Sequence, residues 1–371
     1  MNHARTPRLV VASALVAVAA SILLSACSPQ ATQPEHTAAN AGRQIPLGDL
    51  TVLDDPKSFV GPSTAVLQDA AVTPLVSDTA QTLPATVVSH DRDGDHPVTV
   101  ADTSRVLGLD MSGSIAATIF GLGFGDSVVG RDVSTTFPGT EDLPLVTSGG
   151  HSVNAEGVVA LKPSLVITDG TIGPLDVMLQ LRDAGIDVVY VQNEPSIEGV
   201  GELARQVGAA LGAPQAGEEL AGTLQQQIDD KIAEIAAIVP TDPADRLRMV
   251  FLYLRGSSGI YYLFGEESGA DVLIDALGGI DVAKEIGWDG MKPMTDEALV
   301  AADPDLILVM TDGLESAGGV DGLIETKPAI GITTAGVNKR FVDMADGDIL
   351  SFGPRTPAVL DALARAIYAP Q

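Results

Sequence analysis

Asn154-Ala155-Glu156-Gly157-Val158-Val159-Ala160-Leu161-Lys162-Pro163-Ser164-Leu165-Val166-Ile167 has a second copy in the same chain. It is Thr295-Asp296-Glu297-Ala298-Leu299-Val300-Ala301-Ala302-Asp303-Pro304-Asp305-Leu306-Ile307-Leu308. Each copy runs on into Thr-Asp-Gly, at Thr168 to Gly170 and, after two extra residues, at Thr311 to Gly313. The unit reads as a capping residue, a short helix with Glu on its first turn, a Pro that stops it, and a buried strand delivering Asp-Gly at its carboxyl end. One unit in each half of the chain predicts two lobes of shared topology. Ligands of α/β sheets sit beyond the carboxyl ends of strands, so two such edges facing one another define a cleft.

The flanking sequence extends the same pattern. Short β-branched runs at Val106 to Leu109, Val128 to Gly130, Leu165 to Thr168 and Val188 to Val191 alternate with helices starting near Ser114, Asn154, Gly173 and Ser196. A second series has strands at Met249 to Leu254, Leu306 to Met310 and Arg340 to Asp343, with helices around Ala270 to Leu277, Asp296 to Ala301 and Thr356 to Tyr368. Such alternation predicts parallel-rich α/β layers. Between the two series, Leu220, Leu224, Ile228, Ile232 and Ile235 recur at three and four residues, after Pro214 and before Pro240. This is one long helix, about 36 Å at 1.5 Å per residue, enough to bridge two lobes and to resist wide closure between them.

Upstream, Thr86 to Val88 and Val98 to Val100 predict a hairpin around a turn over His90 to His96. The acids of that turn lack the glycine and terminal glutamate of a calcium loop of the EF-hand type. The expected division is a leader over 1–27, a flexible stalk and irregular preface over 28–83, an N-terminal α/β lobe over 84–213, a bridging helix over 214–240 and a C-terminal α/β lobe over 241–371.

The chain has a single cysteine, Cys27, preceded by Leu24-Ser25-Ala26, an apolar run from Leu9 to Leu24 and two arginines, Arg5 and Arg8. That run is shorter than the ~20 residues of a membrane span, and the pattern is that of a secretory signal. Leu-Ser-Ala-Cys resembles a bacterial lipobox, which implies lipidation of Cys27 and a mature protein tethered to the extracytoplasmic face of the cell membrane. No second cysteine is present for an internal disulfide, so the exported fold relies on its core. With 21 basic and 49 acidic residues the net charge is −28, and loss of Arg5 and Arg8 with the leader lowers it further. Such a field argues against nucleic acid and anionic lipid as partners, leaving membrane association to the lipid alone.

Enzyme and nucleotide motifs find no support. Gly121, Gly123 and Gly125 follow a helical run, whereas a phosphate loop precedes a helix. There is no Gly-x-Ser-x-Gly elbow, zinc pair or P-loop. An exported enzyme would have to rely on carboxylates such as Asp169 and Asp312.

Taken together, the lipobox, stalk, paired lobes, bridging helix and repeated Glu-to-Pro unit resemble the helical-backbone substrate-binding proteins of ABC importers for haem, cobalamin and iron siderophores. Three stretches are similar to the haemin-binding lipoproteins of the HmuT type. They are Ser148-Gly149-Gly150-His151-Ser152, Phe251-Leu252-Tyr253-Leu254-Arg255-Gly256 and Leu350-Ser351-Phe352-Gly353-Pro354-Arg355-Thr356-Pro357. The likeness covers about residues 84–371. It implies a monomeric carrier, not an enzyme, that holds haemin between His151 of the first lobe and Tyr253 of the second, with Arg255 beside the tyrosine. It also implies that Glu156 and Glu297 dock on the importer's permease. The same fold serves ferric siderophores and corrinoids, for which His151 and Tyr253 would be polar lining.

The residues suit those roles chemically. Of the five histidines, His3 lies in the leader, His36 in the stalk, and His90 and His96 flank the hairpin turn, so only His151 belongs to the α/β body. Residues two apart on a strand share a face, which puts Arg255 with Tyr253 and sends Leu252 and Leu254 to the other side. Moving a phenol from its ordinary value near 10 to about 7 takes roughly 4 kcal/mol, which a ferric ion and a guanidinium supply together. Phenolate oxygen suits oxidised iron, and imidazole completes the axial pair. A strand-end tyrosine also serves as a packing residue, as do Tyr190, Tyr261, Tyr262 and Met310 in core or cleft wall. Arg131, Lys292 and Arg355 are candidates for the propionates.

Overall fold

The computed structural model of the protein describes residues 45–256 and 260–370; Cys27, the apolar run before it and residues up to 44 lie outside the described residues. The segment expected to be stalk and irregular preface is tied to the body. Leu47 is fully buried in the main core, the Leu53 N–H donates to the Tyr368 carbonyl at 2.8 Å, and β1 (Ser63–Ala65) pairs parallel with Val342 to Met344. The prolines that hid this strand from a periodicity argument confine it to a sheet edge, where pairing on one side suffices.

Two strands, β2 (Ala85–Asp91) and β3 (Gly94–Val100), form the expected hairpin, but the ladder runs to Asp91 opposite Gly94, leaving a two-residue turn. Two of the acids there, Asp91 and Asp95, are engaged within the protein: His90 Nδ1 lies 3.0 Å from Asp95 and His96 Nδ1 3.3 Å from Asp91, which also pairs with Arg182 at 2.7 Å. The ordered elements of the first lobe are β4 (Val106–Leu109), α1 (Ser114–Gly121), β5 (Thr147–Ser148), β6 (Ser152–Val153), α2 (Ala155–Leu161), β7 (Leu165–Thr168), α3 (Leu175–Asp183) and β8 (Asp187–Tyr190). Strands β4, β7 and β8 make a parallel sheet in that order and are almost wholly buried, as strands covered on both faces must be. Val128, expected to start a strand, contributes only an isolated bridge to Val106.

Helices α4 (Ile197–Ala210) and α5 (Pro214–Ala236) follow, joined by a tight turn. Their contact is close because glycines face each other: a Cβ on Gly208 would lie 2.7 Å from the Gly217 Cα. Helix α5 starts with Pro at its first position and buries Leu220, Leu224, Ile228 and Ile235, each worth about 1.5–3 kcal/mol. At about 34 Å it spans the molecule. It packs on α4 in the first lobe, and its Lys231 reaches Asp361 of the last helix at 2.9 Å in the second.

The second lobe contains β9 (Arg248–Arg255), β10 (Ile260–Phe264), α6 (Ala270–Ala276), β11 (Ile280–Asp281), α7 (Val282–Glu285), β12 (Met291–Pro293), α8 (Asp296–Ala302), β13 (Leu306–Met310), α9 (Thr311–Ser316), α10 (Gly319–Thr326), α11 (Pro328–Gly331), α12 (Thr334–Val337), β14 (Phe341–Met344) and α13 (Thr356–Tyr368). Its sheet runs β1-β14-β13-β9-β10-β12, with β11 beside β9. The first four strands are parallel, and β10 and β12 close it antiparallel.

The repeated unit has the same build in both lobes. Asn154 and Thr295 cap α2 and α8 through their side chains, and seven-residue helices follow. Each helix ends on a left-handed residue, Lys162 at φ 49° and Asp303 at φ 40°, one position before the proline expected to stop it. The copies part at Thr-Asp-Gly: the first ends β7 at Thr168 and bends at Gly170, whereas Thr311 opens α9.

Candidate functional site

Strand β9 sorts its side chains by alternation. Val250, Leu252 and Leu254 enter one core beneath the sheet, while Met249 and Phe251 enter the main core with Tyr253 packed half-buried against it. Tyr253 lies opposite Tyr262 of β10 with ring centroids 6.5 Å apart, and the Phe264 ring stacks at 5.8 Å. Arg255 ends the strand and folds back, its guanidinium carbon 4.5 Å from the centre of the Tyr253 ring. Two contacts hold it there: Nη1 donates to the Leu254 carbonyl at 2.9 Å and Nη2 to Asp346 at 3.2 Å. Burial pushes the Asp346 carboxyl above its ordinary value, against the opposing pull of the Asp312 N–H and of Arg255.

His151 belongs to a three-residue turn between β5 and β6, where Gly149 and Gly150 take φ of +56° and +92°. The turn is sewn to the loop beyond the carboxyl end of β7, with the Gly173 N–H donating to the His151 carbonyl at 3.3 Å and the Val153 N–H to the Gly173 carbonyl at 2.5 Å. His151 is half-buried, and its Nδ1 is buried without a partner among the described residues. An imidazole nitrogen stripped of water with no replacement costs about 1–3 kcal/mol. His151, hydrogen-bonded to the loop beyond the carboxyl end of β7, and Tyr253, near the carboxyl end of β9, thus lie in different lobes, and no described hydrogen bond or ring contact joins them.

Where β4 ends lies a cluster of buried acids that sequence patterning did not reveal. Asp110 accepts the Ser114 and Ile115 N–H groups at the start of α1, at 3.0 and 3.1 Å, while Asp132 accepts the Asp110 N–H at 3.0 Å. Burial, then the charges of Asp132 and Asp169, raise the Asp110 pKa. Asp169 takes Asn193 at 2.8 Å and the N–H and hydroxyl of Thr171, an Asx turn that explains its place without catalysis.

Glu156 and Glu297 are exposed on the first turns of α2 and α8, and neither forms an ion pair with a described residue. The propionate candidates fare unequally. Lys292 is exposed on the edge strand β12, and Arg131 is half-buried with its Nε unpartnered among the described residues. Arg355 is excluded, being buried at 4% exposure with Asp348 and the Gly347 carbonyl as partners and stacked 5.4 Å from the Phe137 ring. The stretch around it is a seam between lobes, where Pro354 meets Gly121 of α1. Met310 is partly buried against the main core, and Tyr190 and Tyr261 are core residues.

A two-lobe α/β frame with half-buried polar side chains near strand ends of both lobes and a bridging helix behind them is the architecture of a transport binding protein. The family described as periplasmic binding protein matches residues 111–346, and the chain belongs to it. The chain is 30% identical over 253 residues to an uncharacterized ABC transporter substrate-binding lipoprotein, YvrC, of Bacillus subtilis (strain 168), covering 67% of this chain and 76% of that protein. It is 29% identical over 299 residues to a cobalamin-binding protein of Halobacterium salinarum, covering 77% and 78% of the two. Among solved structures, the heme binding protein HmuT matches with a TM-score of 0.78 at 39% identity, over 85% of this chain and 99% of that one. The family and its structural neighbours are transport binding proteins.

Proposed function

We propose that this protein is an extracytoplasmic, monomeric carrier, lipid-anchored at Cys27, that captures haemin between its lobes and delivers it to an ABC importer permease. His151 and Tyr253 supply the two axial ligands, Arg255 stands beside the tyrosine as a cation, and Glu156 and Glu297 dock one lobe each on the permease. The observation that carries the reading is the Arg255 guanidinium stacked 4.5 Å over the Tyr253 ring at the carboxyl edge of the second sheet. A guanidinium held in that position is a fixed cation beside the phenol at the strand end, a placement that a merely packed tyrosine does not need. The 39% identity to HmuT supports it further. That protein has also been solved with alanine replacing one arginine, one tyrosine and one histidine, the arginine two positions after the tyrosine, the spacing of Tyr253 and Arg255 here.

The cobalamin-binding relative favours a second reading, a corrinoid carrier of the same fold. Titration with haemin and with cobalamin, followed in the visible spectrum, separates the two. Haem carriage requires a shifted Soret band saturating on haemin addition and undisturbed by excess cobalamin. Saturable binding of cobalamin with no Soret change supports the corrinoid.

A further inference from the structure

The second copy of Thr-Asp-Gly opens a helix, and two of its residues, Asp312 and Gly313, reach the Arg255 site. The Thr311 hydroxyl donates to Asp343 at 2.7 Å, tying the start of α9 to β14. The Asp312 N–H donates to Asp346 Oδ1 at 3.0 Å, which leaves Oδ2 for Arg255 at 3.2 Å. Gly313 leaves room for the arginine: a Cβ there would come within 2.8 Å of the Leu254 carbonyl oxygen and 3.3 Å of Arg255 Nη1, the two atoms of the other contact that fixes the guanidinium. The first copy does nothing similar. Thr168 donates to the Leu109 carbonyl and Asp169 accepts from Thr171 and Asn193, with no arginine involved.

We infer that Asp346 is a positioning residue for ligand binding, set by the Asp312 N–H so that its second oxygen clamps the Arg255 guanidinium over the Tyr253 ring. The inference rests on the haemin reading. An arginine at a half-open strand end has many rotamers, and only some place the guanidinium over the tyrosine ring; a carboxylate on the neighbouring loop selects among them. The anion also balances the guanidinium while the cleft is empty. Asp346 touches no ligand in this scheme and acts through Arg255 alone.

The test is a double-mutant cycle on the full chain loaded with haemin, with dissociation to excess apomyoglobin and the phenolate-to-iron charge-transfer band as readouts. Asp346→Ala is expected to speed haemin loss about tenfold and to shift the band, and to add nothing in an Arg255→Ala background, since the two act as one unit. Asp346→Asn, which keeps one of the two acceptor oxygens, is expected to fall between, and it runs the same cycle if the alanine variant fails to fold. Wild-type kinetics in both Asp346 variants, or equal losses with and without Arg255, would overturn the positioning role while leaving haemin binding intact. A wild-type protein with no haemin spectrum would overturn both.

Discussion

The Arg255 guanidinium carbon lies 4.5 Å over the ring of Tyr253, two residues back on the same strand. Strand alternation puts both on one face, and the bend of Arg255 toward Asp346 turns shared direction into contact. A cation so placed contributes about 1–2 kcal/mol when partly desolvated. Arg255→Ala is therefore expected to raise the haemin dissociation rate about tenfold, read by stopped flow, and Arg255→Lys to recover only part of it, because an ammonium lacks the planar fork. Unchanged dissociation in Arg255→Ala contradicts the electrostatic role.

His151 sits on a turn whose hydrogen bonds run through main-chain groups, with its Nδ1 unpartnered among the described residues. Replacing it should leave the fold intact. His151→Ala is expected to melt no lower than wild type, since it removes a buried unpartnered nitrogen, yet to bind haemin in a five-coordinate form held by the tyrosine. An electron paramagnetic resonance spectrum identical to wild type would remove His151 from the iron.

Docking and capture are separable. Glu156 and Glu297 are exposed at helix starts, where each contributes under ~1 kcal/mol to its own helix. Glu156→Ala and Glu297→Ala are expected to bind haemin like wild type and to lower uptake in vesicles carrying the permease, the pair more than either alone. Full transport by the double variant refutes their docking role.

The lobes depend on the close crossing of α4 and α5. Because a Cβ at Gly208 would lie 2.7 Å from the Gly217 backbone, Gly208→Val must part the helices. Overpacking of this kind costs about 1–3 kcal/mol, measurable as a lower midpoint in urea, whereas the exposed Gly222→Ala should be neutral or stabilising.

Stability should also fall with rising pH through Asp110. Its folded pKa is raised above 3.8 by burial and by the Asp132 and Asp169 charges, so the folded chain binds the proton more tightly than the unfolded chain. That contribution is complete below the unfolded value and is lost as pH rises through the folded one. Urea midpoints measured from pH 4 upward are expected to decline, and Asp110→Asn to flatten the decline. A slope of the same size in that variant assigns it elsewhere.

Much of this was legible in the chain because repetition and alternation are sequence properties. The unit containing Glu156 and its copy containing Glu297 exposed the two-lobe plan, and the spacing of Leu220, Leu224 and Ile228 gave the bridge. Prolines and short length concealed β1, whose place depends on pairing with β14 nearly three hundred residues away. Asp346 and Asp110 were illegible for a related reason: an acid in a loop after a strand looks solvated until the fold brings Arg255, or Asp132, against it. The Asp346-Gly347-Asp348 run directly beyond β14 was the available signal. Arg355 failed as a propionate partner because its motif marks the seam between lobes, where it is buried on Phe137.

The most direct measurement is a crystal structure of the protein grown with haemin. The account predicts one porphyrin between the lobes with an imidazole nitrogen of His151 and the Tyr253 oxygen both within bonding distance of its iron. Iron bound by neither side chain, or a porphyrin seated away from the strand ends, would contradict it.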